Sequence, residues 1–114
     1  MVTVSKGIET GIIVLDLLKK SELFAKSGAR AHVNLYNNQL DCGFVFKAVR
    51  NGKMPYWFVY NDFNTDYIII SGGEEVDYLS SYKNHILARI KDTEYEECAN
   101  KLIEIMIDWD KKHK

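Results

Sequence analysis

The sequence predicts an α+β domain: a four-stranded antiparallel β-meander packed by one N-terminal helix and two C-terminal helices, in a single domain over residues 1–114. Two changes of hydrophobic period and two asparagine-centred turn signals predict it. Apolar residues recur at three- and four-residue spacing up to about Ala25, at every second residue from Ala31, and at helical spacing again beyond Ser71. Asn37-Asn38 and Asn51-Gly52 punctuate the middle region. Asn-Gly is the strongest short-hairpin signal, because both positions tolerate positive φ.

The elements follow in order. Ile8, Ile12, Leu15 and Leu18, widened by Val14 and Leu17, form the apolar stripe of a helix over about 6–25, with Glu9, Asp16 and Lys20 on its wet side. Ser27-Gly28 closes it, since glycine accepts the left-handed conformation that ends helices. Strands are predicted at 31–36, 39–50, 53–60 and 67–71, the last two joined across 61–66. Ser71 to Glu74 has capping-box spacing and opens a helix whose face is Val76, Leu79, Ile86, Leu87 and Ile90. Thr93 to Glu96 repeats that spacing ahead of a stripe of Tyr95, Cys98, Leu102, Ile105, Met106 and Trp109. The short Lys91-Asp92 link predicts that these two helices pair antiparallel.

Register decides where the aromatic side chains point. With Asn51-Gly52 as a two-residue turn, Arg50 meets Lys53, Phe46 meets Trp57, and Phe44 meets Val59, and directly opposed residues share a sheet face. One face then holds Val33, Leu35, Leu40, Cys42, Phe44, Phe46, Trp57, Val59, Ile68 and Ile70, with no charge among them. This is the expected core face. The opposite face carries His32, Asn34 and Tyr36, then Asp41, Val45, Lys47 and Val49, then Tyr56, Phe58 and Tyr60, then Tyr67 and Ile69. A slip of one residue would send Lys47 and Asp41 into the core, which selects the first register. In it Val45 lies by Phe58, Phe58 by Ile69, and Tyr60 by Tyr67. Either a helix covers this second face or it is an interface, for which tyrosines are well suited. As an interface, its contact residues would be Val45, Lys47, Tyr56, Phe58, Tyr60, Tyr67 and Ile69.

Bulk properties narrow the function classes. The chain has 114 residues, 46% of them hydrophobic and 27% charged, which is an ordinary globular composition for one core. Its formal net charge of −1 argues against an acidic nucleic-acid mimic and against strong nonspecific nucleic-acid binding. The apolar run from Ile12 to Leu15 stops at Asp16, far short of the roughly 20 residues of a membrane span. No secretory leader pattern opens the chain. Cys42 and Cys98 lie in apolar patterns without a Cys/His ligand spacing, as expected of reduced buried thiols in a cytoplasmic protein. The chain's 12 lysines, 3 arginines, 8 asparagines and 11 isoleucines suggest an AT-rich coding sequence.

Catalytic spacing is sparse. His32 sits alone on a strand, His85 in a predicted helix and His113 in the tail. Ser71-Gly72-Gly73 precedes Glu74 and Glu75, which would repel a phosphate, so it reads as a turn and cap. A helix bearing Glu9 ahead of a meander bearing Asp41 and Lys47 resembles the PD-(D/E)XK nucleases in topology, over about 40 residues. That resemblance implies a divalent metal held by the acids. Val45 stands where the pattern needs an acid or Gln, and no Pro precedes Asp41. The helix–meander–helix order also resembles double-stranded RNA-binding domains, but the helix after the sheet opens with Glu74, Glu75 and Asp77 where those need lysines.

The reading is therefore a non-enzymatic protein-binding or inhibitory module without cofactor, of the kind a phage or mobile element carries as an accessory. Its expected partner is another protein or a second copy, with no membrane association. The alternatives are a single-strand nucleic-acid binder using Lys47, Tyr56 and Tyr60, and a degenerate metal-dependent nuclease.

Overall fold

A computed structural model describes residues 2–37, 42–61, 65–73 and 85–113, the side chains of 2–7, 36, 37 and 42 aside. The chain runs α1 (Val2–Lys20), α2 (Glu22–Ser27), β1 (His32–Asn37), β2 (Cys42–Lys47), β3 (Tyr56–Asn61), β4 (Tyr67–Gly73), β5 (Ile86–Lys91) and α3 (Tyr95–Lys112). The sheet is antiparallel throughout, with the strands in chain order from β1 to β5.

The β2–β3 hairpin takes the register that Asn51-Gly52 dictates. Arg50 and Lys53 exchange backbone hydrogen bonds of 3.0 Å each, and Asn51 and Gly52 have φ of 56° and 78°. Positive φ at both central residues is the turn whose twist matches the flanking strands. Phe46 consequently faces Trp57, Phe44 faces Val59 and Val45 faces Phe58. Across β3 and β4 the pairing differs from the sequence expectation. Phe58 lies opposite Ser71, and Tyr60 opposite Ile69. Phe58's partner has moved by two residues, so every side chain keeps its face while its neighbour changes.

The core face closes as its pattern requires. Phe46, Trp57, Val59, Ile68 and Ile70 are buried with Ile90 under Val14 and Leu18 of α1 and Cys98, Ala99, Leu102, Ile103 and Met106 of α3. Val33 and Phe44 pack against its margin, whereas Leu35, expected inside, is 55% exposed on edge strand β1. The buried stripe of α1 is rotated from the predicted one. It runs through Thr10, Gly11, Val14 and Leu18, and Ile12 is exposed. Gly11 explains the rotation: a Cβ there would enter the Phe44 ring, so the helix approaches β2 along its smallest residues.

Four expectations at the helix boundaries need correction. The first predicted helix is two, because Ser21 caps α2 by accepting from Phe24 N (3.1 Å), and Gly28 ends it in the left-handed conformation. Ile86, Leu87 and Ile90, expected on the face of a helix, instead belong to β5. Among the described residues this makes five strands rather than four and turns the expected helical pair into a strand–helix connection. In Ile86-Leu87-Ala88-Arg89-Ile90 the apolar positions suit either period. The open edge of β4 decides, because pairing there buries Ile90 beside Ile68.

Ser71 is likewise no cap. It belongs to β4 with Gly72 and Gly73, and its buried hydroxyl lacks a partner among the described residues. Gly72 lies opposite Trp57 with φ 119°, where a Cβ would strike the Tyr56 carbonyl. Thr93 does not cap α3 either, since Glu94 occupies that position without a side-chain bond. Asn37, expected to turn the chain with Asn38, instead ends β1 opposite Cys42, so the β1–β2 pairing lies four residues from the expected one with every residue keeping its face. Asn38, Leu40, Asp41, the 62–64 part of the β3–β4 connection and the predicted helical stretch 74–84 lie outside the described residues.

A long-range tie joins the β2–β3 hairpin to the end of α3. Arg50 Nε donates to Asp110 Oδ1 at 2.7 Å, with Asp110 buried, and Asn51 Nδ2 donates to the His113 carbonyl. Trp109 meets Trp57 edge-on, centroids 6.0 Å apart, and stacks on His113 at 4.3 Å. This carries the aromatic core from β3 to the chain's last helical turn.

Cys98, buried in the core face, is inert at neutral pH. Burial, with the charge of Glu97 adding to it, pushes its thiol up to about 12. A group whose pKa rises on folding contributes stability below its unfolded value and loses it as pH climbs to the folded value. Here that loss runs from 9.0 towards about 12. Cys98→Ala lacks this loss. The stability gap between wild type and Cys98→Ala in urea melts should therefore narrow between about pH 9 and about pH 11. A gap constant with pH would contradict the burial.

Candidate functional site

The second sheet face is built from alternate residues of all five strands. Its rows are read from the pairing: Asn34, Val45, Phe58, Ser71 and Ile86; then Tyr60, Ile69 and Arg89; with Tyr67 beside Lys91 at one end and His32, Lys47 and Tyr56 at the other. The sequence-predicted contact residues divide into two groups. Val45, Phe58, Tyr60 and Ile69 form one buried cluster with Tyr56 packed against it. Their exposures are 0, 1, 4 and 1% within the single chain. Sequence reasoning left open whether a helix or a partner covers this face, and these four side chains are already buried within the single chain. Neither α1 nor α3 contributes to the cluster, because both pack on the core face.

The remaining predicted residues lie on the rim. Tyr67 is exposed, with Lys91 Nζ 5.5 Å from the centre of its ring, a cation–π contact that sets a charge on an accessible aromatic surface. Lys47 is half-buried, and the Asn34 amide, oriented with its nitrogen towards Val33 O, accepts from Lys47 Nζ at 3.2 Å. Tyr56 is half-buried between Lys47 and Gly73. The face is therefore an apolar interior framed by Lys47, Arg89, Lys91 and His32, of which His32, Arg89 and Lys91 are exposed.

In comparisons with protein-family models, curated proteins and solved structures, nothing matches the chain. The site must be read from its own chemistry.

The nuclease-like constellation is not assembled in the described part of the chain. Glu9 points to solvent from α1, Lys47 is engaged with Asn34, and Asp41 lies outside the described residues. Among the described residues no group of three or more His, Cys, Asp or Glu side chains is placed to hold a metal ion. No helix among them is long and apolar enough to cross a membrane.

Sequence reasoning missed the outer edge of the sheet. Ile86 and Leu87 on β5 are 43 and 44% exposed, and a bulge at Ile70/Ser71 leaves Leu87 without a ladder partner. Read as helical, these residues looked like core. The apolar–charged alternation of Ala88, Arg89, Ile90 and Lys91 was the one signal for a strand.

Proposed function

We propose that the chain is a small protein-binding module of inhibitory or accessory type that works without catalysis. It meets its partner along the β4–β5 side of the sheet. The observation that carries this reading is the exposure of Tyr67, Ile86 and Leu87 beside Arg89 and Lys91 on that side. Large apolar side chains interleaved with cations on an outer strand suit a contact surface, where aromatic and arginine residues are enriched. Of the residues first expected at the interface, Tyr67, Tyr56 and Lys47 stay within reach of a partner on the rim. Val45, Phe58, Tyr60 and Ile69 support them from inside.

The test compares three immobilised proteins in lysate of the source cells. Wild type should retain one partner in stoichiometric amount. Leu87→Lys should lose it, and Leu23→Lys, altered at an exposed position of α2, should keep it. Sedimentation of the purified chain tests a second copy as the partner in the same way. Equal retention by all three proteins, or no partner and no self-association, would overturn the proposal. Salt-dependent retention of single-stranded oligonucleotide would favour nucleic-acid binding instead.

A further inference from the structure

Resting on the protein-binding reading above, we infer that the outer edge of β5 accepts an extended acidic segment of a partner protein as an added strand. The backbone bonding supplies the first argument. Asp92 N donates to Asp66 O at 2.9 Å, in line with the pairing of Tyr67 with Lys91 and Ile68 with Ile90. Opposed residues in an antiparallel ladder alternate between hydrogen-bonded and non-hydrogen-bonded pairs. Asp92 being bonded, Ile90 and Ala88 turn their N–H and C=O groups towards β4. Arg89 and Lys91 then turn theirs outward. No other described strand lies on that side. A row of outward backbone donors and acceptors is a template for another strand.

Charge selects the occupant. Over Ile86–Lys91 the strand carries Arg89 and Lys91 and no carboxylate. Both cations lie on the second sheet face, opposite Ile69 and Tyr67. A second copy pairing through its own β5 would bring the same cations to the same edge. Pairing through its β1, His32–Asn37, would offer no acid either. A foreign segment with acidic residues against Arg89 and Lys91 satisfies them. Small apolar residues on its other side would meet Ala88 and Ile90, and an apolar residue at its end would meet Ile86 and Leu87. The added strand would alternate acidic and apolar residues.

The test uses the full chain and a labelled short peptide of alternating glutamate and valine, followed by fluorescence anisotropy and residue-resolved amide exchange. The peptide should bind saturably and slow exchange of the Arg89 and Lys91 amides, which point outward in the free chain. Arg89→Glu with Lys91→Glu should weaken binding by at least about tenfold, and a lysine–valine peptide should not bind. Three results would each overturn the inference: no saturable binding, equal binding of both peptides, or binding that leaves those two amides unprotected. A lysate partner lost by Leu87→Lys while the Arg89 and Lys91 amides stay unprotected in its complex would sink strand addition and leave the protein-binding reading standing.

Discussion

Phe58→Lys is expected to unfold the chain. Phe58 is 1% exposed, between Val45 on β2 and Ser71 on β4 in the cluster completed by Tyr60 and Ile69. Removing the ring forfeits about 3–5 kcal/mol of core packing. Placing an ammonium inside that apolar cluster adds several more. The sum is comparable with the whole stability of an ordinary domain, about 5–15 kcal/mol. Loss of the cooperative thermal transition and of the native far-UV circular dichroism is the expected readout. A folded variant that had merely lost a partner would mean that this face is open.

Trp57→Ala is expected to cost about 3–5 kcal/mol, at the upper end for a large core truncation. Trp57 is 2% exposed and meets Trp109 edge-on across the core, interplanar angle 80°. An aromatic pair of this geometry adds about 0.5–1.5 kcal/mol beyond burial. Tyr56→Ala, one residue away on the opposite face and half-buried, should cost distinctly less. Urea melts of the two variants read the difference. Equal losses would contradict the register that places the two rings on different faces.

That register was legible because Asn51-Gly52 names its own turn, and one turn fixes every pair between β2 and β3. The 61–66 connection names none, so the β3–β4 pairing came out two residues away, with the faces kept because the period of a strand is two. β5 was not legible. Its residues satisfy both periods, and only the open edge of β4 chooses between them. The stripe of α1 was read from its largest residues, whereas close packing on Phe44 selected Thr10 and Gly11.

The candidate site followed the same logic. Pairing assigns side chains to faces, so the membership of the second face was legible in Val45, Phe58, Tyr60 and Ile69. Their burial was not, because alternation says nothing of what lies over a face. The Arg50–Asp110 tie joins positions 60 residues apart, and no local pattern announces it.

The central claim is that the tyrosine-rich face is closed at its centre and accessible along its β4–β5 rim. Hydroxyl-radical footprinting of the free chain tests it most directly, since oxidation reports the solvent access of each side chain. Tyr67 and Leu87 should oxidise readily, with Phe58, Tyr60 and Trp57 protected until the chain unfolds. Oxidation of Phe58 and Tyr60 in the folded chain at rates matching Tyr67 would contradict the claim.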